Sequence, residues 1–165
     1  MKALALTAAL LIAFGLAACG DDDESTTGST EAGAPAAEAG GAEKTKPTVT
    51  VPEGAPPKKL EVRDIEEGTG AEAKAGDEVS VQYVGVNYKT GKEFDASWDR
   101  GEPFIFQLGA GMVIPGWDQG VEGMKVGGRR ELIIPPELAY GPEGSPPAIG
   151  PNETLIFVID LLEAG

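Results

Sequence analysis

Histidine is absent from the 165-residue chain, and cysteine occurs once, as Cys19. The first absence excludes a Ser-His-Asp or Cys-His nucleophile pair, a His-ligated zinc and imidazole acid/base chemistry at neutral pH. The second excludes a disulfide framework and a multi-thiolate metal or iron–sulfur site within one chain. No cofactor and no metal are therefore expected. Basic residues are scarce too: 13 Lys+Arg stand against 27 Asp+Glu, for a formal charge of −14. Nucleic acid is not an expected partner, because neutralising phosphates takes clustered Lys/Arg. The apolar run over residues 3–16 is too short to span a bilayer as a permanent helix.

What is present divides the chain into three parts. Residues 1–18 read as a secretory signal, with Lys2 ahead of the apolar run and small residues at its end. The junction Leu16-Ala17-Ala18-Cys19-Gly20, followed at once by Asp21-Asp22-Asp23-Glu24, resembles the bacterial lipoprotein signal. That resemblance implies lipidation of Cys19, which becomes the new N-terminus. It also implies an exported domain anchored to the bacterial membrane and facing the periplasm or the cell exterior. The competing reading is an ordinary export signal with an accidental cysteine. Residues 19–57 follow as an acidic Gly/Ala/Pro-rich linker, with eight acidic and two basic residues and almost no large apolar side chain. Such a segment cannot bury enough surface to offset its ordering entropy, so a disordered stalk is expected.

Residues 58–165 must then supply the whole core. Their dominant period is two: Val79, Val81 and Tyr83 alternate with Ser80 and Gln82, Phe104, Phe106 and Leu108 with Ile105 and Gln107, and Leu155, Phe157, Ile159 and Leu161 make a third face. A fourth strand is expected over 129–134, and weaker ones near 60–65 and 92–96. Turn-rich stretches between them favour antiparallel pairing. One short helix is expected from Pro115, with Trp117, Val121 and Met124 along one stripe. Glycines at 116, 120, 123, 127 and 128 make it intrinsically poor, so packing must hold it. The fold class is thus α+β, an antiparallel twisted sheet wrapped around one short helix.

No constellation for nucleophilic, metal or phosphate chemistry is present. Gly109-Ala110-Gly111 lacks both a third glycine and a Gly-Lys-Ser/Thr sequence, so it is neither a dinucleotide fingerprint nor a phosphate loop. The run Val113-Ile114-Pro115-Gly116-Trp117-Asp118-Gln119-Gly120-Val121 instead resembles the FKBP-type peptidyl-prolyl cis-trans isomerases. So do Gly123-Met124-Lys125-Val126-Gly127-Gly128, Ile134-Pro135-Pro136-Glu137-Leu138-Ala139-Tyr140-Gly141, Glu93-Phe94-Asp95-Ala96-Ser97 and Pro103-Phe104-Ile105-Phe106-Gln107-Leu108-Gly109. The resemblance implies a half-barrel clasping the helix and a proline pocket floored by Trp117. Tyr83, Asp95 and Tyr140 would be its catalytic residues. Phe94, Arg100, Phe104, Val113, Ile114, Trp117, Ile149 and Phe157 would bind substrate, with Asp95 paired to Arg100 and Ile149 at the pocket lip. From the residues alone, Phe104, Trp117 and Phe157 read as core by default, and only the resemblance makes them pocket candidates; the Asp95–Arg100 pair reads as an exposed ion pair worth little. The loop over 142–152 departs from many members at Ala148 and Gly150, which bears on substrate preference and macrolide affinity.

The implied activity suits a chain without histidine. Rotation about an X-Pro bond breaks no bond, and its barrier of about 18–20 kcal/mol comes from amide resonance. A water-poor apolar pocket that disfavours the planar amide relative to the twisted one lowers that barrier. The expected partners are proline-containing unfolded or folding exported polypeptides and rapamycin-type macrolide inhibitors, and the expected state is a monomer. The alternative function is a non-catalytic proline-segment-binding chaperone, since aromatic grooves also grip proline without turnover.

Overall fold

The computed structural model describes residues 44–165. The expected signal peptide, Cys19 and the linker up to residue 43 lie outside the described residues. Residues 44–57 carry no regular structure and are followed by β1 (Glu61–Glu66), β2 (Glu78–Asn87), β3 (Glu93–Ala96), α1 (Ser97–Arg100), β4 (Phe104–Gln107), α2 (Pro115–Val121), β5 (Arg129–Ile134), a 3₁₀ turn (Pro136–Leu138) and β6 (Leu155–Ala164). All strand pairs are antiparallel, in the order β1-β5-β6-β2-β3. β4 pairs with the first half of β2 and β3 with the second, so these two short strands share one edge of β2. That sharing brings Phe104 at the start of β4 and Asp95 in β3 to opposite sides of Tyr83.

Alternation decides which residues meet α2. Val79, Val81, Tyr83, Leu132, Ile134, Leu155, Phe157, Ile159 and Leu161 form one buried cluster with Phe106, Trp117, Val121 and Met124. The helix is the one expected from Pro115, but it ends at Val121, and Met124 enters the core from the turn beyond it. Its glycines have a packing reason. A Cβ on Gly116 would stand 2.4 Å from Ile134 Cγ2, and one on Gly120 would stand 2.6 Å from Leu132 Cδ1, so only glycine lets α2 lie this close to β5. Two elements were not expected, the single turn α1 and the 3₁₀ turn, each too short to show a period.

The opposite face of the sheet is covered as well. Val84, Val86 and Ala96 form a second cluster, and Tyr88, Ile133 and Ile156 a third, and Val49 and Val51 pack against both. Polar clasps flank these valines. Arg129 Nη2 donates to Thr45 O at 2.9 Å, and Lys44 Nζ lies 3.0 Å from a Glu66 carboxylate oxygen and 3.5 Å from Asp160. Residues 44–57 are therefore a strap laid on the domain, whereas the expected linker ran to residue 57. Composition misses this because two valines at alternate positions and two lysines suffice when the surface they meet is apolar and bordered by acids. With both faces covered, β2 is buried at nearly every position.

Candidate functional site

Five aromatic rings converge where α2 faces β2, β4 and β6. Around the Trp117 indole stand Tyr83 at 5.0 Å between centroids, Phe157 at 5.2 Å, Phe106 at 5.7 Å and Phe104 at 6.1 Å, all edge-to-face except the tilted Phe106. Phe94 joins from β3, 5.6 Å from Phe157. Such pairs each contribute about 0.5–1.5 kcal/mol beyond the area they bury. The floor they make is nearly closed, with Trp117 and Phe157 each 4% exposed. The open apolar surface lies on the rim: Phe104 is 36% exposed, Tyr140 41%, and Phe94, Val113 and Ile114 are half-buried. Trp117 Nε1 is buried with no hydrogen-bond partner among the described residues, an uncommon state for an indole N–H.

One wall of the site is polar. The Tyr83 hydroxyl donates to Asp95 Oδ2, and Arg100 donates to both: Nη1 to Asp95 Oδ1 at 2.5 Å and Nη2 to the Tyr83 oxygen at 2.9 Å. Its guanidinium also sits 5.5 Å from the centroid of the Tyr83 ring. The expected Asp95–Arg100 pair is thus a three-membered cluster, and the single proton of Tyr83 is already committed to Asp95. Buried Ser97 sets the register of this wall, its Oγ accepting the Tyr83 N–H at 2.8 Å and donating to Gln82 Oε1.

The other wall is the loop before α2. Asp118 reaches back from the first turn of the helix and accepts the N–H groups of Gly109 at 2.9 Å and Gly111 at 3.2 Å, both glycines at positive φ. This fixes the stretch that carries Val113 and Ile114. The Ile114 carbonyl caps α2 by accepting the Trp117 N–H at 2.9 Å, while its own N–H enters no hydrogen bond among the described residues. Gly109-Ala110-Gly111, excluded as a phosphate loop, is therefore a hinge-free bracket for the rim. An acid three residues past Pro115, after two closely spaced glycines, was the signal for Asp118. Ile149, expected at the lip, is buried in the main cluster with Phe157 rather than standing on the rim.

Burial and the Asp95 hydrogen bond push the Tyr83 phenol above its ordinary value of 10, against the pull of Arg100, and burial with the Asp95 charge raises Tyr140. Both rings thus stay neutral past pH 10, and whatever stability the neutral phenols contribute is present below the unfolded value and lost as pH climbs through the folded ones. An ultraviolet tyrosinate titration should show Tyr83 and Tyr140 ionising above the ordinary phenol range. Tyr83→Phe should remove one late transition. A late transition left intact in Tyr83→Phe would contradict the geometry.

Two cavities, of about 160 and 580 Å3, lie elsewhere. The smaller is lined by Asp64, Glu66, Glu67, Lys125 and Arg130, charged groups unsuited to a prolyl ring, and the larger lies between the strap and the start of β6. The aromatic cluster remains the candidate site on chemistry.

Residues 70–162 match the sequence family described as FKBP-type peptidyl-prolyl cis-trans isomerase. The chain belongs to this family. It is 64% identical over 118 residues to the FK506-binding protein of Streptomyces anulatus, covering 71% of this chain and 95% of that one. To the probable FK506-binding protein of Corynebacterium glutamicum it is 54% identical over 119 residues, 72% and 98% of the two chains. Among solved structures, AtFKBP13 superposes with a TM-score of 0.60 at 41% identity, over 64% of this chain and 93% of that one. FkpA from Escherichia coli does so at 0.58 and 48%, over 64% of this chain and 47% of that one. The protein is a peptidyl-prolyl cis-trans isomerase with an FKBP-like fold, an open antiparallel sheet around a short helix.

Proposed function

We propose that this isomerase accelerates X-Pro rotation in exported polypeptides while held at a membrane by lipid on Cys19. The observation that carries the site is the indole floor of Trp117 beneath an apolar rim, beside a wall of Tyr83, Asp95 and Arg100. A prolyl ring laid on Trp117 between Phe104, Val113 and Tyr140 leaves most of its water behind. The planar amide, with its larger charge separation, loses more hydration there than the twisted amide does, and that difference lowers the barrier. Tyr140, whose hydroxyl makes no hydrogen bond among the described residues, and the free N–H of Ile114 are the donors within reach of a substrate carbonyl. Tyr83 shapes the wall, with its proton held by Asp95.

The anchor rests on the Leu16-Ala17-Ala18-Cys19 junction after a short apolar run. Two or more acyl chains hold a protein stably on a bilayer, since each buried methylene contributes roughly 0.8 kcal/mol. The names of the two relatives support a macrolide of the FK506 type as an inhibitor at the same floor.

The test is made on washed membranes from cells expressing the full chain, using NMR exchange spectroscopy on an X-Pro peptide. Exchange should be accelerated by the membranes, abolished by FK506, and moved to the soluble fraction by Cys19→Ser. Peptide binding without acceleration would favour the chaperone reading, and membrane retention of Cys19→Ser would remove the anchor.

A further inference from the structure

The segment that carries the polar wall is weak on its own. α1 is four residues long, its N-terminal flank at Ala96 offers no side-chain cap, and it stops at Gly101 with φ of 71°. One turn cannot hold itself in water, because nucleation costs more than its single hydrogen bond returns. Its grip must come from neighbours. From inside, Ser97 is bonded to β2. From outside comes the strap: Trp98 packs in the cluster that Val49 and Val51 cover, and Lys46 Nζ donates to both oxygens of Asp99, at 2.7 and 2.9 Å. The same ammonium donates to Glu93 Oε1 at 2.8 Å.

Glu93 opens β3 and Asp99 lies in the single turn of α1. Between and beside them stand Phe94, Asp95 and Arg100. Lys46 therefore ties together the two ends of the segment whose interior side chains line the site. We propose that Lys46 is a positioning residue of the isomerase: docked through the strap, it steadies α1 and so fixes the guanidinium of Arg100 against Asp95 and Tyr83. The 118-residue match to the Streptomyces relative is longer than residues 58–165, so it takes in part of this strap.

The inference rests on the isomerase reading for its kinetic arm but has a second arm that does not. Lys46→Ala, Asp99→Asn and the double variant are compared with wild type in the full chain, by kcat/KM for an X-Pro peptide at about 0.02 M and about 0.5 M salt, where exposed pairs are weakly and strongly screened. At low salt each single variant should lose about threefold, the scale of an exposed ion pair, and the double should lose no more than either. Raising the salt should bring wild type down to the variants and leave Lys46→Ala unchanged. Lys46→Arg should restore the loss. The Nε–H resonance of Arg100, read without substrate, should shift in both single variants. Singles that match wild type, losses that add in the double, or an unmoved Arg100 resonance would each overturn the proposal. A wild type without turnover would remove the isomerase reading instead, and the resonance would still decide the role of Lys46.

Discussion

Trp117→Ala should lower the unfolding free energy by about 3–5 kcal/mol, the range for deleting a large aromatic from a core. Four rings lean on this indole within 6.1 Å, from three different strands, so no single neighbour can collapse into the space it leaves. A loss that size is a large fraction of what a small domain has in total, about 5–15 kcal/mol. Urea midpoints at constant m would measure it. Trp117→Phe separates function from stability, because a smaller ring keeps part of the packing while narrowing the surface on which a prolyl ring lies. The phenylalanine variant should fold and turn over an X-Pro peptide about tenfold more slowly, a difference of about 1.4 kcal/mol in transition-state stabilisation. Wild-type stability in the alanine variant would show that the cluster does not depend on its central ring.

Asp160→Ala should cost about 3 kcal/mol or more. The side chain is fully buried on β6 and receives two bonds from Arg129, at 2.7 and 2.8 Å, with Lys44 at 3.5 Å. Removing one partner of a buried pair leaves the other charge without compensation, and that penalty exceeds the net worth of the intact pair. The guanidinium is also the group that holds Thr45, so the same substitution should loosen the strap. Denaturant unfolding reads the first effect, and faster amide exchange along β6 reads the second. Replacing Asp160 and Arg129 together by leucine should recover most of the loss. If the single variant proves as stable as wild type, the pair is not the fastening the geometry makes it.

Much of this was legible in the sequence where period and burial agree. Leu155, Phe157, Ile159 and Leu161 share the face that meets α2, while Ile156 and Val158 are buried on the other, and β5 falls on residues 129–134 as the pattern predicts. The stripe of Trp117 and Val121 gave the helix its orientation. Short elements left no such trace: Ser97-Trp98-Asp99-Arg100 is a turn of helix only because β2 and the strap grip it. Val49 and Val51 looked isolated in a polar stretch, since the apolar surface they cover is assembled from four strands far away in the chain. The site residues came from motif resemblance rather than period. That Tyr83, Asp95 and Arg100 would touch depends on the break in register between β2 and β3, which no spacing encodes. Ile149 went the other way, because a residue in a Pro/Gly-rich loop is read as surface until the loop is seen folding inward.

Lys44 lies against Glu66 and Asp160, so the strap is fastened by charge at the rear of the sheet, on the side of β6 turned away from α2. The mouth ringed by Phe104 and Tyr140 opens from the other side of that sheet. Under the proposed attachment through Cys19, a load reaching Lys44 meets these charge contacts before the hydrophobic interior, on the face opposite the mouth.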